Sequence, residues 1–292
     1  MIIKEPKSWN EVVAILEEIQ NEFGFDQLGQ SNTILYRGQK DFDWELETTL
    51  ERKIKAMGSN KKINVAQYLT MAMDSVEEIN VFTGRQWKSK SYSEITEELK
   101  KSSNPGLPSY NYLVYLRHNG FPSPLLDWTK SPFIASYFAY SSAVHQADDS
   151  ALFCYIPTSS GIRGGNVEAP RIHNYGSYVE THKRHFLQQA QYTICTQREE
   201  QLDKHIFLPH SMAFKESESN PEQDIIFKIR LPNSMRKEVL SSLEKHNLNE
   251  YSLFLTEDSF IRKIEMKHFD IEDYMKLYES SETKLPRQSE TK

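Results

Sequence analysis

Residues 124–140, PLLDWTKSPFIASYFAY, change from a strand pattern to a helix pattern within a few positions. The run PLLDW is short and apolar, which predicts a buried strand. Ser131 followed by Pro132 is typical of a helix N-cap and the first helical position. The stretch therefore predicts a strand that leads almost directly into a helix.

Polar side chains are placed at this predicted junction. Asp127, Thr129 and Ser131 alternate and can share one side of the turn, and the N-terminus of a helix attracts anions through its free N–H groups and its dipole. The alternative is local capping, in which these side chains satisfy the backbone of the helix they precede. Trp128 has two interpretations as well, a platform that stacks on a ligand or a plug in the core.

A second candidate cluster lies about ninety residues earlier, in YRGQ. Arg37 ends a predicted strand, where its planar guanidinium would be fixed in position to hold phosphate or ribose oxygens. Gly38 allows close approach of a ligand to the backbone, and Tyr36 offers an aromatic face or a hydroxyl. The alternative for Arg37 is a bridge to a structural carboxylate.

The remaining pattern alternates short strands and helices without strict βαβ order, which predicts an α+β fold. KSWNEVVAILEEIQNEF reads as an amphipathic helix with Ser8 as its cap and Glu11 completing a capping box. Further helices are predicted near 65–82, 92–101, 109–119, 233–247 and 259–277, and strands at NTILYRGQ, ALFCYIP, AQYTICT and DIIFKIRLP. No linker divides the chain, so we predict one domain over 1–278 with a helical insertion over about 52–119, a long loop over 157–180 and a disordered tail over 279–292.

Composition limits the function classes. The 292 residues carry a net charge of -6, no apolar run approaches the length of a membrane span, and the first residues lack a signal-peptide core. Cys154 and Cys195 lie in apolar runs, as buried free thiols do, and no Cys/His cluster has zinc spacing. These observations favour a cytoplasmic protein with no membrane association and no metal.

The charge is unevenly distributed along the chain. Residues 52–101 contain ten basic and six acidic residues, a local balance of +4. Within them RQWKSKSY, residues 85–92, mixes cations with aromatic rings, as surfaces that bind nucleic acids do. The alternative is a solvated loop with one half-buried tryptophan. Polar groups at 183–191 would by default lie on the surface, and no nucleophilic triad or phosphate-binding glycine loop is present.

Taken together, these motifs resemble the FRG domain family, named for an aromatic-Arg-Gly motif that is Tyr36-Arg37-Gly38 here. Further matching segments are DWELETTLERK, RHNGFPSPLLDWTKSPFIASYFA, RHFLQQAQYT and LPNSMRKEVLSSLEKHNLNEYSLF, so the resemblance spans about residues 8 to 265. Two departures stand out. The family's Thr-Arg pair is Ser123-Pro124 here, which removes a cation, and its Leu-Phe-Pro-Asp is Leu253-Phe254-Leu255-Thr256.

The order of these motifs is similar to that of ADP-ribosyltransferases. The resemblance implies a split β-sheet core with an N-terminal helix and inserted helices, in which Arg37 holds NAD and a later strand brings a catalytic glutamate. That third position falls near LQQAQYTI, where Gln188 replaces the glutamate. The acids that could take its place are Asp127, Glu222, Asp224, Glu257 and Asp258.

The resemblance also implies the roles of individual residues. The catalytic set is Arg37, Asp127, Thr129 and Gln188. The set that contacts NAD is Tyr36, Arg37, Gly38, Trp128, Ser131 and Tyr137. In this interpretation Arg37 clamps the pyrophosphate or ribose, the Gly38 backbone bonds the nicotinamide amide, and the aromatic rings stack on the nicotinamide.

The function that follows is an NAD-dependent mono-ADP-ribosyltransferase that acts as a bacterial or phage-related toxin or anti-phage effector. The expected partners are NAD, a macromolecular acceptor and a neutralising antitoxin protein. Residues 85–92 favour a nucleic acid acceptor, RNA in particular, over a protein. Two alternatives stay open, a module that binds NAD, ADP-ribose or nucleic acid without turnover, and a ribonuclease that uses His118 and His185.

Overall fold

A computed structural model describes most of the chain. The described residues are 1–25, 29, 31–59, 61–101, 107–141, 149–157, 169–176, 179, 183–199, 204–217 and 224–271. The predicted tail and most of the predicted loop over 157–180 lie outside them. None of the described helices is both long and apolar enough to cross a membrane.

Twelve α-helices form within the described residues. They are α1 (Trp9–Phe23), α2 (Thr49–Ala56), α3 (Val65–Met73), α4 (Val76–Thr83), α5 (Tyr92–Lys101), α6 (Tyr110–His118), α7 (Pro132–Tyr140), α8 (Lys183–Leu187), α9 (His210–Ser217), α10 (Arg236–Lys245), α11 (Glu250–Phe254) and α12 (Glu257–Glu265). A 3₁₀ turn (Asn233–Met235) precedes α10, and a π-helical turn (Met266–Ile271) follows α12.

Nine strands in the same part of the chain make one sheet, so the protein has a mixed α+β fold. They are β1 (Ile2–Lys4), β2 (Leu35–Gln39), β3 (Ile63–Asn64), β4 (Leu126–Thr129), β5 (Asp149–Ile156), β6 (Arg171–Tyr175), β7 (Ala190–Glu199), β8 (Lys204–Phe207) and β9 (Ile225–Pro232). Their order is β1-β9-β5-β2-β4-β7-β8-β3, and β6 pairs with β7 on a side branch.

The sheet is nearly divided at its centre. β2 pairs with β5 along all five of its residues, and β4 pairs with β7 along all four of its own. Between β2 and β4 the register contains one pair, Tyr36 with Thr129. The two strands separate on leaving that pair, because no further ladder hydrogen bonds hold them together.

Three apolar clusters surround the sheet. The first packs α1, α7 and α10 on β2, β5 and β9, and includes Val12, Tyr137 and Val239. The second packs α3, α5 and α6 on β7, at the other half of the sheet. The third joins both halves, because Trp128 of β4 packs there beside Tyr155 of β5.

Several elements expected from the sequence are present. α1 begins after Ser8, which accepts from the Glu11 N–H, but Glu11 reaches back to the N–H of Lys7 and not to the cap. α7 has Ser131 as its cap and Pro132 in its first turn. The helix expected over 65–82 is two helices, α3 and α4.

The patterns did not predict the shorter elements. These are α2, α8, α9, α11 and strands β1, β3, β6 and β8. The strands are short or mix polar with apolar residues, so their sheet pairing comes from long-range contacts that a local window does not contain. Cys154 and Cys195 are buried free thiols, as expected.

Gly38 allows two backbones to meet. A Cβ atom at this position would lie 1.9 Å from the carbonyl oxygen of Ala135 and 2.6 Å from the amide nitrogen of Ala139. Both atoms belong to the backbone of α7 and cannot rotate away. The sequence interpretation gave Gly38 the role of admitting a ligand; in the structure the closest neighbour it admits is α7, which fixes the position of β2 and of Arg37 within it.

We expect Gly38→Ala to lower the free energy of unfolding by about 3 kcal/mol, the upper part of the range for overpacked cores, because β2 must move off α7. Urea denaturation measures the change. Gly120→Ala is the control, since Gly120 has φ +87° and open space around its Cα, so alanine there costs about 1–2 kcal/mol through its backbone conformation alone. A Gly38→Ala protein as stable as the parent would refute this close contact.

Candidate functional site

A cleft of ≈ 1070 Å³ opens where β2 and β4 separate. Its walls come from β2, the segment 40–47, α2, the end of α6, β4, α7 and the start of β7. The lining residues are Tyr36, Arg37, Gly38, Gln39, Lys40, Trp44, Glu45, Glu47, Thr49, Arg52, Lys55, Arg117, His118, Asp127, Trp128, Thr129, Ala135, Phe138, Gln188, Ala190, Tyr192 and Phe254. A concave site of this size is typical of those that bind small molecules or cofactors.

Two arginines converge on Asp127 in this cleft. Arg37 Nη1 donates to the backbone carbonyl of Asp127 at 2.8 Å, and the same nitrogen lies 4.0 Å from Asp127 Oδ2. Arg117 grips the carboxylate from the other side, with Nε donating to Oδ1 at 2.7 Å and Nη2 donating to Oδ2. This bidentate geometry makes strong, directional hydrogen bonds.

Helix α2 fixes the Arg117 side chain. Arg117 Nη1 donates to Thr49 Oγ1 at 2.8 Å. Thr49 Oγ1 also accepts from the backbone N–H of Ser123 at 2.9 Å, so the guanidinium, the start of α2 and the turn before β4 are held together. The sequence comparison suggested that Ser123-Pro124 removes a cation, and the structure shows that Arg117 places one against Asp127.

The charges in this trio are coupled. Burial raises the pKa of Asp127, but Arg117 and then Arg37 outweigh burial and hold the pKa below its ordinary value. Burial lowers the pKa of Arg37 to about 10, against the attraction of Asp127. Both groups are therefore ionised at neutral pH. Arg37 Nε has almost no exposed surface and has no hydrogen-bond partner within the described part of the chain, so it is an unsatisfied buried donor.

The cleft is basic although the chain is acidic. Five cations and three carboxylates line it, whereas the whole chain carries a net charge of -6. The cations are Arg37, Lys40, Arg52, Lys55 and Arg117. The carboxylates are Glu45, Glu47 and Asp127. Such a local excess of positive charge attracts anionic ligands.

The three aromatic rings expected to stack on nicotinamide lie in the core. Tyr36, Trp128 and Tyr137 each expose 3% of their surface or less, and burial raises the pKa of Tyr36. Trp128 Nε1 donates to Thr193 Oγ1 at 2.8 Å, and the Tyr137 hydroxyl donates to Glu250 Oε2 at 2.8 Å. Tyr36 and Trp128 border the cleft and Tyr137 does not, so none of the three presents an open ring face.

The alternating hydroxyls near Asp127 cap the following helix. Ser131 Oγ accepts from the Ile134 N–H at 3.3 Å, and Thr129 Oγ1 accepts from the Ser131 N–H at 3.1 Å. Thr129 borders the cleft but is buried, and Ser131 is not among the lining residues. The Asp127 side chain lines the cleft with 42% of its surface exposed.

Gln188 lines the cleft just before β7, where its side chain donates to the Leu253 carbonyl at 3.3 Å. Of the substitute acids, Asp224 is buried and accepts from the Tyr155 hydroxyl at 2.6 Å. Glu257 and Asp258 are exposed in the first turn of α12, away from the cleft lining. Glu222 lies outside the described residues.

The histidines proposed for a ribonuclease are not equivalent. His118 borders the cleft, where its Nε2 lies 2.8 Å from the Tyr192 hydroxyl, and burial lowers its pKa to about 4. His185 is buried and its Nδ1 lies 3.3 Å from the same hydroxyl. A substrate in the cleft would therefore meet one of the two imidazoles, which does not support the acid–base pair that this alternative needs.

Sequence reasoning missed the wall formed by residues 40–55. It contributes Trp44, Glu47, Thr49, Arg52 and Lys55 to the cleft. The signal was available, because TTLE has the capping-box spacing and the structure shows both of its bonds, between Thr48 and Glu51. Within the described residues, the cleft included, no group of three or more His, Cys, Asp or Glu side chains could hold a metal ion.

Asp127→Asn should lower the free energy of unfolding at neutral pH, because both arginines then face a neutral amide. The folded pKa of Asp127 lies below its unfolded value, so its contribution is complete above about pH 3.9 and is lost as the pH falls through the folded pKa. Urea denaturation from neutral pH downwards should show the gap between parent and variant closing in acid. Asp43→Asn, at an exposed acid outside the cleft, is the control, and a gap that stays constant with pH would contradict the pairing.

Comparison with protein-family models matches residues 32–148 to the FRG domain. The match covers less than half of the chain and includes Arg37, the missed wall, Arg117 and Asp127. Neither the curated proteins nor the solved structures contain a significant match to this chain. The family match supports the FRG family for the segment that carries both arginines and the carboxylate between them.

Proposed function

We propose that the cleft binds NAD and that the protein transfers ADP-ribose from it to a macromolecule. The observation that carries this proposal is the basic cleft at the separation of β2 and β4, which Arg37 lines with 16% of its side chain exposed. NAD carries two phosphates, and a guanidinium fixed by a strand is suited to hold them. The resemblance of the motif order to ADP-ribosyltransferases points the same way.

The cleft offers a dinucleotide one available guanidinium, because the second arginine is already paired. The Arg117 guanidinium is engaged by the Asp127 carboxylate, whereas Arg37 donates one hydrogen bond, from Nη1, to a backbone carbonyl. Arg37 is therefore the guanidinium available to the pyrophosphate or ribose, and Asp127 with Arg117 holds it in place. Gln188, which lines the cleft just before β7, has an amide that could meet a ribose hydroxyl.

The proposed reaction breaks the bond between C1′ of the nicotinamide ribose and the ring nitrogen. Nicotinamide leaves with the bonding electron pair and becomes neutral, a nucleophilic atom of the acceptor bonds to C1′, and its proton passes to a base or to water. The transition state resembles an oxocarbenium ion, which a carboxylate stabilises. Asp127 is ionised but paired, and Glu45 and Glu47 are two further carboxylates in the cleft.

A second function is favoured by the pairing of Asp127. Because Arg117 engages both carboxylate oxygens, Asp127 has less capacity to stabilise a cation or accept a proton. A cleft that binds NAD or ADP-ribose without turnover would use the same Arg37 and need no free carboxylate.

The biological role we propose for the transferase, a toxin or anti-phage effector with a neutralising protein partner, rests on the family resemblance.

We expect the purified protein to release nicotinamide from NAD when total RNA or cell lysate is added, and Arg37→Ala to reduce the rate by roughly 100-fold or more through loss of ligand positioning. Arg37→Lys keeps the charge without the fork, so it should recover only part of the rate. Chromatography of nicotinamide and calorimetric titration with ADP-ribose provide the two measurements. Arg262→Ala, at an exposed arginine outside the cleft, is the control.

The outcomes separate the two functions. Release that needs an acceptor and Arg37 supports the transferase. Binding of ADP-ribose that needs Arg37, with no release under any condition, replaces it with the binding function. Neither release nor binding in the parent protein overturns both.

A further inference from the structure

Trp44 differs from the other tryptophans of the chain. It exposes 49% of its surface, whereas Trp9 and Trp128 are buried. Trp87 packs between Tyr112 and Tyr115, with ring centroids 5.4 Å from each. Trp44 alone among the four thus presents a large open ring, and it does so at the edge of the cleft.

The backbone around Trp44 is held in place. Phe42 and Leu46, two residues before and after it, are anchored in the third core cluster. The Gln39 side chain donates to the Glu45 carbonyl at 3.2 Å, and Lys228 Nζ lies 3.4 Å from the Trp44 carbonyl. The segment is therefore anchored on both sides of Trp44, while the ring itself is 49% exposed.

Three exposed cations line the same cleft as this ring. Lys40, Arg52 and Lys55 line the cleft with it, and all three are exposed. Two acids lie among them, since Glu47 forms an ion pair with Lys55 and Glu45 borders the same cleft. Three cations against two acids leave a positive excess among these lining residues, although Asp41 and Asp43, outside the lining, flank Trp44 in the chain. We call Lys40, Trp44, Arg52 and Lys55 the cleft mouth.

A macromolecule would meet the cleft mouth first. Arg37 and Arg117 are recessed, with 16% and 11% of their side chains exposed, so a large acceptor reaches them past the exposed groups. An aromatic face flanked by flexible cations is the chemistry that binds single-stranded nucleic acid, because any base stacks on the ring while the cations follow the phosphates. A protein acceptor has no comparable need for both.

We propose that the cleft mouth binds a single-stranded nucleic acid, with one base stacked on Trp44 and phosphates contacted by Lys40, Arg52 and Lys55. If the proposed transferase function holds, this nucleic acid is its acceptor. Binding of the strand itself does not depend on that function. It also moves the nucleic acid contact away from residues 85–92. There the Trp87 ring is covered by tyrosines, and its backbone forms two hydrogen bonds with the Asn80 side chain.

The experiment measures fluorescence anisotropy of a labelled oligouridylate of about 12 nucleotides, within the site sizes of single-strand binders, without NAD and at several salt concentrations. Trp44→Ala should weaken binding by roughly 5- to 150-fold, the factor for about 1–3 kcal/mol per stacked base. Trp44→Phe, which keeps a ring, should recover most of the affinity. Lys40→Ala should lower the salt slope by roughly 0.7, the value for one phosphate contact on a single strand.

The matched controls remove a lysine and an aromatic ring that lie outside the cleft. Lys53→Ala lies on α2 outside the cleft lining, and Phe82→Ala removes an exposed ring far along the insertion; both should bind the strand as the parent does. Thermal melting checks that each variant is folded. Calorimetric titration with ADP-ribose, compared between the parent and Trp44→Ala, separates loss of the strand from loss of the dinucleotide.

Three results would overturn the inference. The parent protein could fail to bind the strand at low salt, or Trp44→Ala could bind it as tightly as the parent. In the third, Trp44→Ala loses ADP-ribose but keeps the strand, which would assign the ring to the dinucleotide. Because strand binding is measured without NAD, it can succeed where nicotinamide release fails, and the two proposals fail separately.

Discussion

The cleft depends on the hydrogen bond from Arg37 to the backbone of Asp127. β2 and β4 share one register pair and then separate, so the sheet would have an unsupported gap at its centre. The Arg37 guanidinium spans that gap, and Arg117 holds the side chain of the residue that Arg37 reaches. One carboxylate and two guanidiniums thus keep the separated strands at a fixed distance, and they keep a charged surface between them at neutral pH.

This arrangement gives an acidic chain a basic site. Asp127 offsets one of the two arginines, and the residues of α2 and the segment before it add further cations on one wall. Because the pairs lie at the edge of low-dielectric cores, their fields are less screened than those of charges on the open surface. Net charge alone therefore says little about what this cleft attracts.

The sequence indicated the fold class and the two strands that border the cleft, because their signals are local. Ser131 and Pro132 define the start of α7, and Arg37 and Asp127 stand out as charges within apolar runs. The rest depends on distance in the chain. Thr49 contacts Arg117 across 68 residues, and nothing near Thr49 marks it as a partner. The burial of Trp128 and Tyr137 depends on packing from other elements. Aromatic residues chosen as candidates by their position in the sequence therefore proved to lie in the core, and the exposed Trp44 was overlooked.

The three core clusters have a consequence for how this cleft can vary. The cluster under α1, α7 and α10 belongs to the half of the sheet that carries Arg37, and the cluster under α3, α5 and α6 belongs to the half that carries the Asp127 partner Arg117. Of the three clusters, the third contains residues of both halves. Lengthening or shortening the helices between β2 and β4 would therefore shift one wall while the other keeps its backbone contact at Gly38. Chains that differ in the helices between β2 and β4 would therefore accept ligands of different size, while β2 and its Arg37 stay unchanged.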